Sequence, residues 1–201
     1  MTATQPWTAP RVEAGGEVEA LAAEWIVPYG QAEHLVRARD WLVHLAPTAT
    51  AEMRVAALTH DVERMFPGGP VLRHADQRWD DPVYLYAHSL RSAEAVTVWL
   101  GGLGAVAATV DPAEIRRLVG LHEVGGIDGA DEVQAADSLS FLETLAGLTR
   151  DWVRSGVCSR LQAERKLRYM ADRVRVPTAA QYAPPLLEWA IDQLPAEVAH
   201  R

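Results

Sequence analysis

Apolar positions recur with helical spacing along most of the chain, and no long segment shows the apolar–polar alternation of a strand. One stripe places Leu35, Ala38, Leu42 and Leu45 on a single face of a predicted helix over residues 31–46. Further helices are predicted over residues 17–27, 50–65, 81–100, 111–125, 130–154, 158–175 and 179–194. The pattern therefore predicts an all-α protein, a single bundle of seven or eight helices.

Helix-starting and helix-breaking residues separate these segments. Asp81-Pro82 and Asp111-Pro112 each pair an N-capping aspartate with a proline suited to the first helical turn. The Gly68-Gly69 pair and its flanking prolines predict a loop over residues 66–81. Residues 1–16 predict a flexible N-terminal arm, which leaves residues 17–201 as one all-helical domain.

Composition and charge narrow the functional classes. The single cysteine, Cys158, excludes an intrachain disulfide and suits a reducing compartment. No apolar run approaches the roughly 18 residues of a membrane span, and the N-terminus lacks the order of a secretory signal. The net charge of −8 disfavours nucleic-acid polymers and anionic membranes. We therefore expect a cytoplasmic protein that acts on a small molecule, as a monomer or a homo-oligomer.

Histidines occupy successive predicted helices. His34, His60, His88 and His122 each lie on a separate helix, and Asp61 directly follows the second of them. A lone histidine on an amphipathic helix is usually a surface or core residue, and a His-Asp dipeptide is a weak signal by itself. Whether this set has a function therefore has to be judged from the residues that surround each member in the sequence.

Those neighbours are apolar. His60 and Asp61 follow the apolar run at residues 55–58, and Asp137 lies between Ala136 and Leu139 on the third predicted helix after theirs. A carboxylate in such surroundings costs several kcal/mol unless a cation or donor satisfies it. Imidazoles and carboxylates directed into one helical core indicate a metal site, and these ligands suit iron, manganese, zinc, nickel or cobalt.

The set His34, His60-Asp61, His88, His122 and Asp137 resembles the HD-domain superfamily of metal-dependent phosphohydrolases over residues 30–145. That family is all-α and is named for its His-Asp pair, and the two additional histidines resemble its dinuclear branch. The resemblance implies two divalent ions, iron or manganese first, with nickel, cobalt or zinc as alternatives. One ion would take His34, His60, Asp61 and Asp137, and the other His88 and His122, with Asp61 as the bridge.

Two other aspartates, Asp128 and Asp131, precede Asp137 and are alternative ligands. Asp137 is preferred because its surroundings are apolar and helical, whereas helix capping explains the other two.

The resemblance implies a phosphohydrolase that acts on a small phosphorylated metabolite or nucleotide through a metal-activated water. The dinuclear branch also includes di-iron oxygenases. The alternative function is therefore cleavage of a small substrate, such as a phosphonate or a polyol, with dioxygen.

Binding of a phosphate group requires positively charged side chains near the proposed metal ions. Arg37 and Arg91 each follow a histidine by three residues and share its helix face, and Arg64 lies one turn beyond the His-Asp pair. We expect all three to bind substrate, with Arg91 also catalytic together with Asp61 and with Glu123, a candidate proton carrier. The basic run at residues 165–169 is predicted to be the solvated face of its helix.

Overall fold

The computed structural model describes residues 4–71 and 80–196, and within these ranges it contains helices and no strand. The predicted all-α class is confirmed. Two short 3-10 helices, Val62–Met65 and Gly104–Thr109, accompany nine α-helices in the described residues. The α-helices are α1 (Glu17–Trp25), α2 (Ala32–Leu45), α3 (Ala51–Thr59), α4 (Pro82–Gly102), α5 (Pro112–Leu121), α6 (Ala130–Thr144), α7 (Ala146–Arg154), α8 (Arg160–Asp172) and α9 (Ala183–Asp192).

The two strongest helix-start signals act as predicted. The Asp81 side chain accepts the backbone N–H of Tyr84, and the Asp111 side chain accepts the N–H of Ala113, both at 2.9 Å. Each cap satisfies a backbone donor that the first helical turn leaves unpaired. Residues 72–79 of the predicted 66–81 loop lie outside the described residues.

The prediction of one helix over residues 130–154 is wrong, since the chain breaks at Leu145 between α6 and α7. Leu145 has φ −104° and ψ 4°, outside the helical region. The hydroxyl of Thr144, the residue before the break, donates to the Ser140 carbonyl at 2.7 Å, a local bond of the kind that often accompanies a bend in a helix. This break accounts for the ninth helix.

The N-terminal segment, predicted as an arm, makes specific contacts with α2 within residues 4–16. Ala9 is buried, and its carbonyl accepts a hydrogen bond from Arg37 Nη2 at 2.6 Å. The Val12 carbonyl accepts another from Arg39 Nη2 at 2.9 Å. Two buried arginines of α2 thus hold a non-helical segment whose backbone has no helix or strand partners of its own.

The core forms around α2 and α6, which pack along their lengths. Leu35 and Leu42 of α2 and Leu139 and Leu142 of α6 are fully buried. Helices α3 and α5 pack beside this pair, and α4 packs on α5. In the described residues no helix has both the length and the hydrophobicity required to cross a bilayer.

Candidate metal centre

The structure brings together the six residues that the sequence singled out. The atom Oδ1 of Asp137 lies 3.2 Å from His34 Nε2 and 3.3 Å from His60 Nε2. The atom Oδ1 of Asp61 lies 2.7 Å from His88 Nε2 and 3.8 Å from His122 Nε2. All four imidazoles and Asp137 are buried, and the Asp61 side chain is 13% exposed.

These side chains form two groups of metal-ligand type. In one, His34, His60 and Asp61 each offer an atom within 4.8 Å of the others, and in the other Asp61, His88 and His122 do so. Asp61 belongs to both groups. A carboxylate shared by two such groups could contact an ion in each of them.

The Nδ1 atom of each imidazole is bonded to a protein group. His60 and His122 donate Nδ1–H to the carbonyls of Ala57 and Val119, at 2.9 and 2.7 Å. Because a carbonyl oxygen only accepts, the proton must be on Nδ1 in both rings.

The same tautomer follows for the other two rings. The Ser140 hydroxyl donates to the His34 carbonyl at 2.7 Å, so it must accept from His34 Nδ1–H at 2.9 Å. The carboxylate of Glu63 accepts from His88 Nδ1 at 3.0 Å. In the neutral state all four rings therefore direct an Nε2 lone pair at Asp61 or Asp137.

Lone pairs facing carboxylate oxygens repel each other unless a cation lies between them. The Nε2 atoms of His60, His88 and His122 are buried, and the oxygens that face them are those of Asp61 and Asp137. Divalent ions held by nitrogen and oxygen ligands would satisfy these atoms together, and the donor set fits such ions. Orientation of each ligand imidazole through its other nitrogen is typical of metal sites.

The electrostatics differ across the cluster. Burial disfavours the imidazolium of His88, but Asp61 and Glu63 outweigh burial and raise its pKa to about 9. Burial lowers the pKa of His122 to about 4. Burial would raise the pKa of Asp61, yet Arg64 and His88 outweigh it and hold that pKa well below the ordinary value. Asp61 is therefore ionised, as a metal ligand must be.

Two residues that support the cluster were not assigned from the sequence. Glu63 is buried and, besides holding His88, lies 3.3 Å from Arg91 Nε. Arg173, just beyond α8, contacts the Oδ2 atom of Asp137 and a carboxylate oxygen of Glu123. Arg173 thus leaves Oδ1 of Asp137 to face the imidazoles. No spacing pattern links Arg173 to the histidines, so the sequence carried no signal for it.

The structure separates the candidate substrate-binding arginines. Arg64 lines a cavity beside the cluster, with its Nε 2.9 Å from Asp61 Oδ2 and its Nη1 2.9 Å from the Tyr84 hydroxyl. Glu123 lines the same cavity, and its Oε1 lies 3.8 Å from His122 Nε2.

The other two arginines have structural partners. Arg37 is buried in ion pairs with Asp40 and Glu143, at 2.6 and 3.0 Å, and does not line the cavity, so the expectation that it binds substrate is unsupported. Arg91 donates to the carbonyls of Pro67 and Gly68 and does not line the cavity, so its expected catalytic and substrate roles are also unsupported. In both cases a long side chain leaves its helix face to reach a partner on another segment.

The alternative aspartates lie outside the cluster. Asp131 pairs with Arg175 at 2.6 Å and accepts the backbone N–H of Gly126 at 2.8 Å. Asp128 contributes a backbone carbonyl to Arg117 at 3.0 Å. Of the three aspartates, Asp137 is the one that meets the histidines.

The cavity has a volume of about 160 Å³ and two kinds of wall. Asp61, Asp137, Glu123 and Arg64 form its polar side. Phe141, Leu145, Leu148, Trp152 and Met170 form an apolar side, and Lys166 lies in the lining as well. The expectation that residues 165–169 are only a solvated face is therefore wrong for Lys166.

Comparison with known proteins assigns no family. No family model matches the chain, and no solved structure matches it. The glutamate/glutamine/aspartate/asparagine-binding protein BztA of Rhodobacter capsulatus is 44% identical over 56 residues, which are 28% of this chain. The match spans 17% of the length of BztA. A local similarity of this extent does not establish shared function.

Proposed function

We propose that this protein is a metal-dependent phosphohydrolase of the HD type, acting on a small phosphorylated molecule through a metal-activated water. The observation that carries the proposal is the set of four imidazoles whose Nδ1 atoms are all bonded elsewhere, while their Nε2 atoms face two carboxylates. A proton can satisfy His88, whose pKa is raised to about 9. Burial lowers the pKa of His122 to about 4, so its Nε2 lone pair faces Asp61 and Glu123 with no proton between them, and a metal ion would satisfy this arrangement.

The ligand assignment follows the two groups. His34, His60 and Asp137 would hold one ion, His88 and His122 the other, and Asp61 both. When bound, such ions lower the pKa of a coordinated water and stabilise negative charge on a phosphoryl group.

Other residues of the chain orient the ligands and the substrate. Arg64 holds Oδ2 of Asp61, which leaves Oδ1 facing the imidazoles. Glu123 is held by Arg173 on one side and presents its other oxygen to the cavity, where it can accept a hydrogen bond from a water. This placement suits Glu123 to position the attacking water.

Metal content and turnover, measured together, test the proposal. Protein purified without added metal is analysed for bound ions and then assayed for phosphate release from a panel of small phosphomonoesters. We expect close to two ions per chain and metal-dependent phosphate release, both lost in Asp61→Ala. The control is Asp131→Ala, which removes an aspartate that pairs with Arg175 outside the cluster.

Two results would overturn the proposal. Two irons with substrate-dependent uptake of dioxygen and no phosphate release would establish the oxygenase alternative. Full metal content and activity in Asp61→Ala would show that this cluster does not bind the metal ions.

A further inference from the structure

Lys166 is the single lysine of a chain that holds 19 lysine and arginine residues in total. It lies on α8, is half-buried, and lines the cavity beside the candidate metal centre. Its ammonium lies 5.1 Å from the centroid of the Phe141 ring and 5.2 Å from that of Tyr169. Rings at these distances attract a cation without neutralising it.

The arginines near this cavity already have carboxylate partners. Arg64 pairs with Asp61, and Arg173 pairs with Asp137 and Glu123. Glu123 and Asp137 favour the charge of Lys166, but both carboxylates already pair with Arg173, and that guanidinium opposes the charge of Lys166. A half-buried ammonium whose neighbouring carboxylates are shared with an arginine is incompletely satisfied, and an anionic ligand in the cavity would supply a partner of its own.

Apolar residues in the cavity lining restrict the rest of the ligand. Leu145 and Met170 are buried apolar residues, and Leu148 lies beside them. The volume of about 160 Å³ is below the roughly 300–1,000 Å³ typical of pockets for drug-sized ligands. A whole nucleotide does not fit within this volume, so its base and ribose would extend beyond the lining residues, whereas a short hydrocarbon chain can lie against the apolar ones.

We propose that Lys166 binds the anionic group of a small amphipathic substrate, whose short hydrocarbon part packs against Leu145, Leu148 and Met170. This inference rests on the proposed function for the role of the bound molecule as a substrate. The binding itself requires no turnover. The anionic group can be a phosphate or a carboxylate, since either offers oxygen acceptors to an ammonium.

The experiment measures binding by calorimetry to the protein as purified, with n-butyl phosphate, methyl phosphate, pentanoate and n-butylammonium as probes. We expect butyl phosphate to bind more tightly than methyl phosphate, and butylammonium not to bind. The comparison of butyl phosphate with pentanoate identifies which anionic group is preferred. Lys166→Met should weaken binding of the preferred anion by roughly tenfold or more, as expected for loss of a charged hydrogen bond.

Matched variants separate charge from helix damage. Arg165→Met removes the preceding cation, which is exposed on the same helix, and should change the affinity less than twofold. Leu148→Ser should reduce the preference for butyl over methyl phosphate while Lys166 remains.

Because Lys166 is the single lysine, its accessibility can be measured directly with an amine-acylating reagent followed by peptide mass analysis, with the N-terminal amine as reference. Butyl phosphate should protect Lys166 and leave the reference unchanged.

The inference is overturned if Lys166→Met binds the anions like wild type, or if butylammonium binds as well as butyl phosphate. Metal content distinguishes this failure from failure of the proposed function, since Lys166→Met should retain its ions. Lys166-dependent anion binding without phosphate release would refute the hydrolase alone. Phosphate release that does not depend on Lys166 would refute the present inference alone.

Discussion

Asp61→Ala is the substitution that most directly tests the candidate metal centre. Asp61 belongs to both ligand groups, so its removal should abolish both ion sites together. His88→Ala removes a ligand of one group only and leaves His34, His60 and Asp61 in place. The two variants should therefore differ in how many ions they lose.

The magnitudes follow from the contacts. Without metal, Asp61→Ala loses an ion pair with Arg64, whose side chain is 33% exposed, and such pairs contribute about 0–1 kcal/mol. It also removes a carboxylate that is only 13% exposed. The folded variant therefore no longer bears the free-energy cost of desolvating that charge. Asp61 also helps raise the pKa of the buried His88 to about 9, and this contact is lost as well, so the metal-free variant should be less stable than wild type by about 1–3 kcal/mol at pH 7. Each ion at a hundred times its Kd should add about 2.7 kcal/mol to the wild type.

Urea unfolding followed by far-ultraviolet circular dichroism provides the assay, with chelator and with Mn²⁺ in excess. Wild type should gain about 5 kcal/mol from the metal, His88→Ala about half of that, and Asp61→Ala nothing measurable. Asp131→Ala, the control, should gain as much as wild type. If Asp61→Ala keeps the full metal-dependent gain, the bridging assignment is wrong and the His-Asp pair is structural.

Three further predictions address groups around the cluster. Glu63→Gln should weaken metal binding at the His88 site about 10–100-fold, because it weakens the acceptor that orients that imidazole, and unchanged binding isotherms would contradict this. Arg173→Met should destabilise the chelated protein by about 3–5 kcal/mol, because it leaves Asp137 buried without its cation, and added Mn²⁺ should restore part of the loss in urea unfolding. Burial lowers the pKa of Lys166 to about 8, below its unfolded value, so the chelated protein should gain stability as pH rises from 8 to 10.5. In the same unfolding assay Lys166→Met should be more stable than wild type at pH 7, and the difference should shrink across that window. A constant difference would contradict the assigned cause.

The sequence by itself predicted the helical class and the residues of the cluster. Helical spacing marks which face of each helix is buried, and the aspartate–proline starts at residues 81 and 111 act locally, so neither depends on the rest of the fold. The apolar neighbours of His60, Asp61 and Asp137 indicated burial of groups that require a partner. Burial of a polar residue can be predicted from the sequence when its neighbours along the helix are apolar.

Tertiary structure alone decided which cations serve the site. Arg37 shares a helix face with His34, yet its long side chain reaches Glu143 and the N-terminal segment. Lys166 lies in a run that reads as solvated, yet α8 packs on α6 and turns it toward the cavity. Spacing along a helix specifies the direction of the Cβ atom only. The partner of a long charged side chain depends on which distant segment packs beside it, and that is a property of the folded chain.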